Sequence, residues 1–154
     1  MKPQAARLLV TAALMLAASG CGSVLDDARG EPSATPTNFN GLVEQLAARE
    51  FSVATVVSGD PGCSDQGLVP MAISFQLSGG GLNQEVPTRI YRFRNDESYK
   101  KLRSTVDACA AEWISDPAAL LMVDASPYVL VTEGVPAGVV ADAIRAAVRD
   151  AAGE

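Results

Sequence analysis

No histidine occurs anywhere in the 154 residues. The usual general base, and the usual activator of a serine or cysteine nucleophile, is therefore missing. The chain also lacks a Gly-x-Ser-x-Gly elbow, a Cys-x-x-Cys pair, a phosphate loop and the spaced glycines of a dinucleotide site. The run Ser78 to Gly81, "SGGG", reads only as a loop tip. Without histidine, and with its cysteines far apart, the sequence offers no zinc ligand set. Bases are scarce: 12 Lys plus Arg stand against 18 Asp plus Glu, a balance that makes nucleic acid a poor partner. These absences predict a chain that is not an enzyme and carries no metal or cofactor.

What is present at the start is an address. Lys2 and Arg7 precede an eleven-residue apolar run, Leu8 to Ala18. As a helix that run reaches about 16 Å, short of the roughly 30 Å core of a bilayer. It has the layout of an export signal. The residues "AASGC", Ala17 to Cys21, resemble the lipobox of bacterial lipoproteins, with Ala18 where the commonest lipobox has leucine. The resemblance implies that residues 1–20 are removed, that Cys21 is lipidated and becomes the first residue, and that the protein sits on the extracytoplasmic side of a cell membrane or envelope. At about 0.8 kcal/mol per buried methylene, two acyl chains suffice for a durable anchor. Loss of residues 1–20 removes Lys2 and Arg7 and no acid, leaving 10 bases against 18 acids, a net charge of −8.

With Cys21 assigned to lipid, Cys63 and Cys109 remain, and an even pair in an oxidising compartment predicts a disulfide. Residues 21–37 hold two prolines, small polar residues and the acids Asp26, Asp27 and Glu31, and read as a flexible tether. Residues 38–154 then form a single globular domain.

Within the domain, Asn38 is placed to cap a helix with Phe39, Leu42, Val43 and Leu46 on one face. Strands are expected at Phe51 to Val57, Leu68 to Ser78, Val86 to Arg94 and Pro127 to Gly134. A helix from Asn95 or Asp96 carries Tyr99, Leu102, Val106, Cys109 and Trp113 inward, and a last helix covers Val139 to Ala151. Ser115 to Met122, with Pro117 near its start, reads as a short helix. The order α-β-β-β-α-β-α predicts an α+β fold: one mainly antiparallel sheet of about four strands with helices packed on one face. Tyr91, Phe93, Trp113 and Tyr128 are assigned to the core.

Two clusters invite a functional reading. Asp60, Ser64 and Asp65 offer oxygens but lack the alternation of a calcium loop, so "DPGCSDQG" reads as a disulfide-pinned turn. Six of the ten bases beyond residue 20 fall between Arg89 and Arg103, and Arg92, Arg94, Lys100 and Lys101 form a candidate patch for an anion or a protein partner. Paired carboxylates are found only in the tether, at Asp26 and Asp27, or in a first helical turn, at Asp96 and Glu97, where they favour the helix dipole. The sequence thus predicts a lipid-anchored, non-catalytic domain that meets the membrane through Cys21 and binds an envelope protein or a small ligand. An assembly accessory of an envelope complex is the alternative, and a histidine-independent carboxylate hydrolase a remoter one.

Overall fold

The computed structural model describes residues 39–154; the expected export signal (1–20), Cys21, the expected tether (21–37) and the expected helix cap Asn38 lie outside them. The chain runs α1 (Phe39–Ala47), β1 (Phe51–Ser58), a 3-10 turn (Val69–Met71), β2 (Ala72–Gly79), β3 (Val86–Arg92), α2 (Asp96–Trp113), a second 3-10 turn (Pro117–Ala119), β4 (Leu120–Ala125), β5 (Tyr128–Glu133) and α3 (Val139–Ala152). This is a single small α+β domain. All four pairings are antiparallel, in the order β1-β2-β3-β5-β4.

Alternation along the strands decides which side chains meet which helix. Phe75 and Leu77 on β2, Ile90 on β3 and Leu130 on β5 lie in one cluster with Leu42 and Leu46 of α1 and Ile144 and Val148 of α3. Residues an odd number of positions away, Ala72, Tyr91, Val129 and Val131, pack on the opposite side against Val106, Cys109 and Ala110 of α2. The helices therefore cover both faces, which corrects the expectation of one. β5 explains why: it is buried on both sides from Tyr128 to Thr132, as a central strand must be when each face carries a helix.

The second correction concerns Ser115 to Met122. Asp116 does cap a turn there, its carboxylate accepting from the Ala118 N–H at 2.9 Å, and Pro117 does begin it. The turn stops at Ala119, and Leu120–Ala125 becomes a fifth strand joined to β5 by the two residues Ser126 and Pro127. Pairing along the whole length of β5 outweighs the helical preference of the Leu-Leu-Met run. The remaining elements lie where expected to within a few residues, and the Asn95 side chain caps α2 by accepting from the Ser98 N–H at 2.8 Å.

Candidate functional site

The expected disulfide is present, with Cys63 and Cys109 Cα atoms 5.2 Å apart. It fastens the turn after β1 to α2, and other bonds converge on the same turn. The Tyr91 hydroxyl donates to Pro61 O at 2.7 Å, and the Ser64 N–H donates to Glu112 at 3.2 Å. The Arg89 guanidinium donates to Asp60 at 3.1 Å and lies 4.4 Å over the Trp113 ring. Gly62 has φ +79°, and a Cβ there would come within 2.5 Å of Arg89 Nε and 2.7 Å of Trp113 Cδ1, so the turn requires glycine at this point. Asp65 accepts from the N–H groups of Gly67 and Leu68. The carboxylates that resembled calcium ligands are thus engaged with their own turn and with Arg89. Tyr91, Phe93 and Tyr128 are buried as assigned; Trp113 is only half-buried, with Arg89 stacked on it.

Burial alone would raise the Asp60 carboxyl, but the Ser74 hydroxyl, the Arg89 guanidinium and the Gly62 N–H outweigh it and hold the group below its ordinary value. Burial pushes the Tyr91 hydroxyl up to about 12. On the outer side of α2, Arg103 donates to both Asp124 and Asp107, and the Tyr99 hydroxyl donates to Asp124 at 3.1 Å, joining the helix to β4.

The structure does not gather the basic patch onto one surface. Arg92 lies opposite Tyr128 in the β3–β5 register, on the side of the sheet that carries α1 and α3. Lys100 and Lys101 stand on α2, which packs on the other side, and Lys100 is paired with Asp96. Arg94 is exposed between them. Arg92, Arg94 and Lys101 make no ion pair among the described residues.

A different surface stands out. α2 covers the β3-β5-β4 part of its face, and beyond the Arg89–Trp113 stack the floor of β1 and β2 is open. Ser52, Ala54 and Val57 of β1 are exposed there, and Ser74, Gln76 and Ser78 of β2 are half-buried. A groove of about 120 Å³ crosses this floor, with Thr55, Val57, Ser74, Gln76 and Arg89 among its walls. β1 is an edge strand, and Val56 and Val57 on it are 49% and 48% exposed. A register shift between Ala54 and Val57 marks a bulge, and Thr55 within it has φ +54°. A β-branched residue in the left-handed region is strained by about 1–3 kcal/mol, and such strain collects at working surfaces. Sequence reading missed this surface. Its only signal is that "FSVATVVS" carries neither a charge nor a proline; nothing in the residue pattern announces the bulge.

A second hollow of about 210 Å³ lies between α2 and β4, with Ala110, Ile114, Leu120 and Met122 in its walls. Both hollows fall below the 300–1,000 Å³ usual for small-molecule sites. Among the described residues no group of three or more carboxylates or cysteines is placed to hold a metal ion, and no helix is long and apolar enough to cross a membrane. No family model matches the chain, and comparison with curated proteins and with solved structures returns no match.

Proposed function

We propose that this chain is a non-catalytic domain that binds a protein partner at the cell envelope, held on the extracytoplasmic side by lipid on Cys21, with residues 21–37 as its tether. The observation that carries the binding reading is the open half-face of β1 and β2: hydroxyl and amide groups line its floor, and a free strand with adjacent exposed valines bounds it. The groove is too small to enclose a metabolite and suits a surface partner better. Asp60, the acid beside it, is held ionised by its partners, the reverse of what a general acid requires. The anchor rests on the lipobox-like residues Ala17 to Cys21.

Two experiments test the two halves. Cys21→Ser should move the chain from the membrane to the soluble extracytoplasmic fraction, and a variant that stays membrane-bound would sink the anchor. A photo-crosslinking residue at position 57 in living cells should trap a discrete protein that the same residue at position 101 does not. Absence of any adduct at position 57 would remove the binding assignment.

A further inference from the structure

A hydroxyl taken out of water forfeits its hydration, and native structures almost always return a partner to it. Among the described residues three buried side-chain polar atoms have none: Arg89 Nε, Trp113 Nε1 and the Tyr128 hydroxyl. The first two lie in the Arg89–Trp113 stack, closed in against Gly62. Tyr128 is different. It sits on the α1/α3 side of the sheet, 1% exposed, and the side chains in register beside it are Ala125 of β4 and Arg92 of β3. Alanine offers no acceptor, and a guanidinium only donates.

Arg92 has the same deficit. It is half-buried and makes neither an ion pair nor a hydrogen bond among the described residues. The carboxylates of the neighbouring elements are engaged elsewhere. Asp124, the acid of β4, lies opposite Val129 and is held by Arg103 on the other side of the sheet. On α3, Asp142 pairs with Arg145 and Asp150 with Arg49. Two adjacent donors, one charged and one buried, thus share a place that has no acceptor. An anion drawn to the half-buried guanidinium meets the phenol beside it, and hydrogen bonds to a charged acceptor are the stronger kind.

We infer that Arg92 and Tyr128 form a site for a singly charged oxyanion, the carboxylate or phosphodiester group of a small ligand or a lipid headgroup. Arg92 supplies the one positive charge and the fork of donors, and the Tyr128 hydroxyl donates to the same group. The site lies on the opposite side of the sheet from the β1–β2 floor and does not depend on the protein-binding reading.

The test uses the full-length chain in non-ionic detergent micelles and follows the arginine Nε–H signals by NMR, that of Arg92 being the one lost in Arg92→Gln. The probes are propionate, dimethyl phosphate and propionamide, the neutral counterpart of the first. At least one of the two anions should shift the Arg92 signal saturably, and propionamide should not. Tyr128→Phe should weaken that binding about tenfold while melting near the parent temperature. Lys101→Gln, which removes one exposed and unpaired charge from α2, should leave it unchanged. Equal binding by the Tyr128→Phe variant, or equal shifts of the Arg94 signal, would reduce the effect to loose attraction by surface arginines and overturn the site. No saturable shift with either anion would leave the hydroxyl to water alone and overturn it as well. Displacement of the bound anion by phosphatidylglycerol added to the micelles would make a lipid phosphodiester the occupant, and failure of the lipid to compete would assign the site to a soluble ligand. The crosslink at position 57 probes the other side of the sheet, so the two readings fail separately.

Discussion

Among the described residues, seventeen buried side chains fill the face under α1 and α3, and nine fill the face under α2. The larger cluster is almost wholly apolar; its neighbouring polar feature is the pair Thr88 and Thr132, whose hydroxyls lie 3.1 Å apart. The smaller one is crossed by a disulfide, by the Tyr91–Pro61 hydrogen bond and by the Asp60–Arg89 pair over Trp113. The α1/α3 face rests chiefly on burial, through close-spaced residues such as Ala141, Ile144, Ala147 and Val148, with the exposed Arg49–Asp150 pair tying the chain after α1 to α3. The α2 face covers part of the sheet with few apolar contacts and replaces the missing area with cross-links. That economy is what leaves the β1–β2 floor open.

If the contrast is correct, the faces fail in different ways. Removing the disulfide with Cys63→Ala and Cys109→Ala frees a loop whose ends are 46 residues apart, a cost of about 4 kcal/mol on the chain-entropy estimate. Unfolding by denaturant should show that loss, and hydrogen exchange should place the earliest opening in residues 59–71 and α2. Uniform opening of both faces would contradict the division. Ile144→Ala on the other face should cost about 3 kcal/mol by cavity formation. Reductant should leave that increment unchanged, because the residue shares no cluster with the disulfide.

How far the sequence reveals this difference depends on the period of each segment. α2 is legible because Val106, Cys109 and Ala110 repeat at helical spacing and Asn95 supplies a side-chain cap. The disulfide is expected from the oxidising compartment that the lipobox-like residues Ala17 to Cys21 imply, and from the even pair left once Cys21 is assigned to lipid. β4 is hidden because Leu120, Leu121 and Met122 are good helix formers behind a genuine Asp116-Pro117 cap, and only their partners on β5 make them a strand. The two-sided cover is present in the sequence as the unbroken run Tyr128 to Val131, which has no polar alternate. Ser74 and Gln76 look like ordinary solvent-facing strand residues; that they floor an opening depends on where α2 ends, a tertiary fact.

Two tyrosines give a finer contrast. The Tyr91 hydroxyl holds Pro61 O, whereas the buried Tyr128 hydroxyl has no partner among the described residues. Tyr91→Phe should therefore cost about 1–2 kcal/mol, and Tyr128→Phe should be close to neutral. Burial raises both hydroxyls to about 12 from an ordinary 10. An acid with a raised folded pKa keeps its proton while the unfolded chain loses it, so the unfolded state binds fewer protons and stability falls with rising pH. That fall should lie between pH 10 and 12, and Tyr128→Phe should make it shallower without loss of stability at pH 7. An alkaline profile unchanged in both variants would refute the assignment.

The smallest effect expected is a gain. Thr55 sits in the left-handed region, at φ +54°, on the exposed edge where neither helical face reaches. Glycine adopts that conformation without steric cost, although it gives the unfolded chain more freedom to lose. The balance should favour Thr55→Gly by about 1 kcal/mol, visible as a higher denaturation midpoint at constant slope. Were the threonine merely tolerated in a loose segment, the same substitution would lower the midpoint through unfolded-state entropy. A gain in stability accompanied by weaker capture at position 57 would tie the strained bulge to the shape of the binding edge rather than to folding.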